Sequence, residues 1–209
     1  MPDTATFGIF LAAAITLAIT PGPGIFYVLT RSLKGGRGEG LASALGTAVG
    51  GLGHVVAAAL GVSAILAASA TAFGVVKYAG AAYLIVLGLR ALLAGDEGAA
   101  EIAITPAGMR RAFRQGIVTE VLNPKTALFF LAFIPQFISP ARPIVPQFLV
   151  LGAISVGLNT GVDVVVATFA GPLGSRLRRS ARLRRGQRLA TGGAMIGLGA
   201  YVALADGRR

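Results

Sequence analysis

The chain has 209 residues, 55% of them hydrophobic and only 13% charged, with 19 Lys and Arg against 8 Asp and Glu for a formal net charge of +11. Soluble domains carry about 25% charged residues, so this composition excludes an ordinary water-soluble globule. The absence of cysteine excludes a disulfide framework, thiol catalysis and thiolate metal sites.

Residues 4–30 contain no Asp, Glu, Lys or Arg, and the same holds for 40–76, 126–141, 143–162 and 189–205. A helical span needs about 20 mostly apolar residues. The pattern therefore predicts an all-α integral membrane protein with about six transmembrane helices: 6–30, 41–66, 71–93, 114–139, 145–172 and 189–206. The first stretch is too long for the apolar core of a cleavable signal peptide, and no basic segment precedes it.

Inside that first span stands Thr20-Pro21-Gly22-Pro23-Gly24. Proline removes amide donors and fixes φ, while glycine permits turns other residues resist. The run predicts a backbone that unwinds and exposes the amino end of the next helix, which attracts anions such as a carboxylate. A packed kink that binds nothing is the plainer alternative. The second span carries Gly46, Gly50, Gly53, Ala57 and Gly61 at three- and four-residue steps, a stripe suited to close helix approach in lipid. Gly193 and Gly197 repeat the pattern in the sixth, and such stripes leave room for a homodimer. His54, the only histidine, lies mid-span; it suits proton coupling or a bond to a neighbouring carbonyl. With no second His or Cys and no nearby acid, no metal site is expected. Lys77, early in the third span, is expected to reach back to the outer surface.

A linker at 95–106 holds three of the eight acidic residues and separates a first repeat of about 1–94 from a second of about 113–209. With 95–112 as a cytoplasmic connection, the two make one transporter domain. At the head of the fourth span, Leu122-Asn123-Pro124-Lys125 repeats the proline break with a polar residue and a cation. Lys125 can neutralise a substrate carboxylate, pair with Glu120 or snorkel to the interface. Glu120 reads as a buried partner or an interfacial acid. In the fifth span Asp163 shares a face with Asn159 and Thr160. A carboxylate at that depth is costly unless paired or hydrated, so this face is expected to meet the bundle interior. There it would bind a substrate ammonium, carry a proton or hold helices together.

Three spans per half is an odd number, so the halves enter the membrane from opposite sides as two inverted three-helix repeats with proline-broken first helices. Pro23-Gly24-Ile25-Phe26-Tyr27-Val28-Leu29 lays over Pro124-Lys125-Thr126-Ala127-Leu128-Phe129-Phe130. The symmetry is imperfect, because Arg110, Arg111 and Arg114 precede Pro124 whereas an apolar stretch precedes Pro23. Residues 107–116 are therefore expected along the cytoplasmic surface. Fourteen of the 19 Lys and Arg fall in the alternate loops 31–40, 90–114 and 175–188, against Arg142, Arg208 and Arg209 on the other side. The positive-inside rule places those loops in the cytoplasm and both termini outside. The run from Arg176 to Arg188 reads as a topology anchor that meets anionic lipid. It is short and lacks interleaved aromatics, which speaks against nucleic acid.

The segments 19–66, 75–92 and 113–138, with PGPG followed by a basic glycine-rich loop and NPK leading to FIPQF, resemble the LysE/RhtB family of bacterial amino-acid exporters nearly end to end. The resemblance implies a small multi-pass inner-membrane protein that exports amino acids or their derivatives, driven by the proton-motive force. Its characteristic positions are Pro21, Gly22, Pro23, Asn123, Pro124 and Lys125. Some relatives carry an acid where Gly51 stands; its absence leaves His54 as the titratable group of that span.

The residues and the resemblance together give a secondary transporter with alternating access and no cofactor. Substrate-binding candidates are Pro21, Gly22, Pro23, Gly24, Asn123, Pro124, Lys125, Asn159 and Asp163; proton-coupling candidates are Asp163, His54 and Glu120. Its partners are a small-molecule substrate, an amino acid, and membrane lipid, with no nucleic acid and room for a homodimer. A non-transporting helical scaffold and a passive small-solute channel are the alternatives. An enzyme is disfavoured, since Ser43, Ser63 and Ser155 sit in no recognisable nucleophile turn.

Overall fold

The structure, a computed structural model, describes residues 4–68, 70–93, 106–139, 141–179 and 181–204. The linker at 95–105 and the terminal Arg208 and Arg209 lie outside them, as do the side chains of Arg176, Arg178, Arg179, Arg184 and Arg188.

Regular structure among the described residues is entirely helical. The helices are α1 (Thr4–Ile19), α2 (Pro23–Ala68), α3 (Ala70–Leu93), α4 (Met109–Val121), α5 (Pro124–Leu128), α6 (Ile144–Arg179) and α7 (Ala181–Leu204). Both proline runs do break helices. Pro23 opens α2 and Pro124 opens α5, each at the first helical position, where the missing amide costs nothing.

α2 is two arms. Gly36 has φ 79°, the left-handed region that favours glycine. There the chain doubles back, so the arm 23–35 lies antiparallel to the arm 37–68. Val28, Leu29 and Ala44 pack across the hairpin with Val166, Ala167 and Ala170 of α6. The corresponding arm after the second break, 124–137, is less regular: α5 passes into a π-helical turn at Phe129–Phe133 and a 3-10 turn at Ile134–Phe137. Pro135 removes the amide that would continue the α ladder. This arm supplies Phe129, Phe130, Phe133 and Phe137 to the main core, against Phe10 of α1, Val55 and Val62 of α2, and Phe148 of α6.

By length and apolar content, Pro23–Val62, whose straight part is the arm beyond Gly36, and Ile144–Ala170 can each cross a bilayer. The pair Met109–Val121 and Pro124–Phe137, bent by 46° at the break, makes a third; Thr6–Ile19 and Met195–Leu204 are shorter apolar helices. Among the described residues, the expected six thus compare with three by this measure.

Glycine acts more selectively than the stripe suggests. A Cβ on Gly46 would lie 2.1 Å from Phe113 O, and one on Gly50 2.8 Å from Ile117 O, so both glycines admit the backbone of α4. Gly53 and Gly61 face open space, as do Gly193 and Gly197. α7 packs on α3 through other glycines: Gly88 and Gly192 oppose each other, and Gly199 abuts Ala81 O. Lys77 does not reach outward; it is buried, with its ammonium over the Tyr78 ring at 5.3 Å.

α4 stands parallel to the 37–68 arm rather than lying across its end: Glu39 meets Ala107 at one end and His54 meets Glu120 at the other. Arg110, Arg111 and Arg114 stay exposed on its outer face. Its start is tied down by Glu39, whose Oε1 accepts the amides of Ala107 at 2.8 Å and Gly108 at 2.7 Å. Glu39 Oε2 pairs with Arg31 at 3.3 Å, and Arg31 also bonds to Tyr27 and Gln115. Both partners of this ion pair are buried, and removing one leaves the other charge uncompensated. Glu39→Ala is expected to destabilise the protein by about 3 kcal/mol, read as a lower thermal midpoint in detergent. Gly53→Ala, in open space, serves as the control.

Candidate functional site

The two breaks meet each other inside the bundle. At the first, α1 ends with Thr20 N bonded to Thr16 O and Leu17 O, and Thr20 Oγ1 also donates to Thr16 O at 2.6 Å. Pro21 has no amide to carry the ladder on. The next helix restarts with Phe26 N donating to Gly22 O at 3.0 Å. At the second, Asn123 caps α5: its Oδ1 accepts Lys125 N at 3.1 Å, and its main-chain oxygen accepts Ala127 N at 3.1 Å. Gly22-Pro23 and Asn123-Pro124 are therefore the same device, a cap followed by a proline that starts a helix.

Side chains of the second break fill the space left by glycines of the first. A Cβ on Gly24 would lie 2.7 Å from Glu120 Oε2, and one on Gly22 3.2 Å from Lys125 Cε. An added Cβ at 24 would have to push the Glu120 carboxylate aside, away from its bond to Asn123.

Three ionisable side chains are buried here: Glu120, Lys125 and Asp163. Lys125 Nζ donates to Leu17 O at 3.2 Å and Thr20 O at 2.9 Å, the carbonyls at the end of α1. Glu120 Oε1 accepts from Thr126 Oγ1 at 2.6 Å, and its Oε2 accepts from Asn123 Nδ2 at 3.0 Å. Asp163 Oδ2 lies 2.8 Å from Thr47 Oγ1. The Thr47 hydroxyl lies 2.8 Å from Ala44 O as well, so one hydrogen serves two acceptors.

Around these groups is a small polar cavity of about 20 Å³, roomy enough for a water but not for an amino acid. Of the predicted residues, Gly24, Glu120, Asn123, Lys125, Asn159 and Asp163 line it. Pro21, Pro23 and Pro124 shape the breaks from behind, and Gly22 abuts the Lys125 stem. Asn123 spends both ends of its amide inside the break. Asn159 makes no side-chain hydrogen bond among the described residues. His54 does not line the cavity: its Nε2 bonds to Glu120 O at 2.9 Å, and its ring stacks on Phe130. Gly51, where some relatives of the resembled family carry an acid, is in the wall beside Val156. Among the described residues no group of three or more His, Asp and Glu could hold a metal ion.

Two lining residues escaped the sequence reading. Thr47 is hidden within the glycine-rich second span, where a lone hydroxyl looks like helix packing. Thr126 follows Pro124 by two residues, and only Glu120, one turn before the break, hints at its partner.

A family profile described as LysE type translocator matches residues 15–206. The chain is 32% identical to a homoserine/homoserine lactone efflux protein of Salmonella typhimurium, over 80% of each chain. It is 32% identical to an uncharacterized membrane protein of Vibrio cholerae, over 81% of this chain and 82% of the other. A leucine efflux protein of Salmonella choleraesuis is also 32% identical, over 64% of each. No solved structure matches the chain.

Proposed function

The chain belongs to the LysE type translocator family, and from that premise we propose that it exports an amino acid or amino-acid derivative across the bacterial inner membrane, driven by the proton gradient. One observation carries the reading. The two proline breaks meet at a small polar cavity lined by one ammonium, Lys125, and two carboxylates, Glu120 and Asp163. Buried charges persist when they are paired, and here a proton or a cationic group of the cargo would restore neutrality. That is what a proton-coupled carrier of a zwitterion needs. The names of the homoserine and leucine efflux relatives support an amino-acid cargo.

The halves act as inverted repeats. Each break is followed by an arm of similar length, 23–35 and 124–137, and then by a long helix, 37–68 and α6. α3 and α7 close the two series and pack on each other. Six membrane crossings result, with basic loops in the cytoplasm and both termini outside. The cavity of about 20 Å³ marks a closed form, and rocking of the halves about the breaks opens it to either side in turn. Asn159 and the second oxygen of Asp163 offer polar contacts to the cargo. Asp163 takes either the cargo's ammonium or the proton.

The test is a growth panel. Cells expressing the protein are challenged with dipeptides of each amino acid, and the medium is assayed for the free amino acid. Resistance with excretion of one species, abolished by a protonophore, is the expected result. Equal sensitivity and equal excretion with and without the protein, across all dipeptides, overturn the reading.

A further inference from the structure

The carbonyls of the last turn of α1 are left short of helical partners where the chain breaks at Pro21: Leu17 O keeps only the amide of Thr20, at 3.2 Å, which it shares with Thr16 O. The carboxyl end of a helix carries partial negative charge and attracts cations. Two of these carbonyls, Leu17 O and Thr20 O, hold the Lys125 ammonium at 3.2 and 2.9 Å. Lys125 belongs to the other break, so this contact bridges the two halves. It also leaves the third N–H of the ammonium for another acceptor.

Lys125 lines the small polar cavity. Leu17 and Thr20, which hold its ammonium, also line a second cavity of about 420 Å³, together with Ala13, Phe133, Leu198 and Tyr201. That volume falls within the range of small-molecule sites, which are mostly apolar with a few placed polar groups. The residues whose carbonyls hold the ammonium thus also border space for an apolar side chain.

We propose that Leu17 O and Thr20 O form a binding site for a primary ammonium, filled by Lys125 in this closed form and by the α-ammonium of an apolar amino acid during export, with the cargo's side chain in the 420 Å³ cavity. The proposal rests on the export reading and assigns its cargo class. It also gives the ammonium to the backbone and leaves Asp163 for the proton. Cargo displaces Lys125, which breaks the bridge between the halves and frees the Lys125 ammonium for Glu120 and Asp163. Binding and opening are thereby one event.

The test is chemical rescue of purified Lys125→Ala in detergent. Ethylammonium is expected to raise its thermal midpoint by at least half of what the substitution lost, by linkage. Tetramethylammonium, which has no N–H, is expected to do nothing, and the unaltered protein to respond less. Recovery of folded Lys125→Ala only when ethylammonium is present supports the proposal equally. No gain over tetramethylammonium, an equal response of the unaltered protein, or no folded protein even with the amine overturns it. The cavity is tested separately by Gly197→Leu, a position that lines it and where an added Cβ meets nothing within 4 Å. This variant is expected to raise the KM for leucine export in vesicles about tenfold; an unchanged KM removes the cavity from the proposal. Rescue with no export of any amino acid sinks the export reading and leaves the ammonium site standing. Export without rescue does the reverse.

Discussion

Gly46→Ala, the addition of one methyl group, is expected to lower the thermal midpoint more than most substitutions elsewhere in the chain. The new Cβ would lie 2.1 Å from Phe113 O and 3.0 Å from Phe113 C. Both are backbone atoms of α4, so no rotamer change relieves the clash and the helix itself must move. Overpacking of a tight interior costs about 1–3 kcal/mol and occasionally more. With backbone as the obstacle, the upper end, about 3 kcal/mol, is expected, or about 10 °C for a chain of this size. α4 carries Glu120 and leads into Asn123, so export is expected to fall with stability. Gly53→Ala, one turn beyond Gly50 on the same helix, meets nothing within 4 Å. Glycine costs a helix interior about 1 kcal/mol relative to alanine, so this variant is expected to gain slightly. A Gly46→Ala midpoint equal to that of Gly53→Ala overturns the packing account.

That pair of glycines also marks how far the sequence could be read. Spacing identified a small-residue face, but spacing has no partner in it. Only the three-dimensional course of α4, running parallel to the 37–68 arm, separates Gly46 and Gly50 from Gly53 and Gly61. The breaks were legible for the opposite reason: proline acts on its own backbone, so Pro23 and Pro124 announce helix starts wherever they stand. Asp163 and Asn159 were legible because a polar face at depth in an apolar span needs company. Lys125 was legible as a residue of interest but not in its partner. Its acceptors are main-chain carbonyls of Leu17 and Thr20, over 100 positions away, and carbonyls leave no mark in a sequence. His54 shows the same limit, since its partner is the main-chain oxygen of Glu120. The doubling back at Gly36 could not be told from any other glycine in the basic loop, because Gly35, Gly36, Gly38 and Gly40 all stand there.

On the proton-coupled reading proposed above, Asp163→Asn is expected to cut export by about tenfold or more, the scale of a typical coupling free energy. The reasoning starts from Thr47. Its hydroxyl lies 2.8 Å from both Ala44 O and Asp163 Oδ2 and has one hydrogen to give. Given to the carboxylate, it leaves Ala44 O without that bond. Given to Ala44 O, it leaves the second contact to be made by a proton on Asp163. The two arrangements differ by one proton at the side chain that lines the cavity beside Glu120 and Lys125. Protonation thus reverses the donor in the hydrogen bond that joins the 37–68 arm to α6 and returns the Thr47 hydrogen to Ala44 O. Asparagine keeps the size and an acceptor for Thr47, but it cannot exchange a proton, so the protein should still fold and bind while its uphill export is lost. Thr47→Val removes the hydroxyl and leaves the acid; export is expected to slow yet still follow the gradient. The measurement is amino-acid efflux from reconstituted vesicles with an imposed pH gradient and without one. If Asp163→Asn still accumulates cargo against its gradient as the unaltered protein does, the coupling proton rides elsewhere, and Glu120 is the remaining buried acid of the cavity.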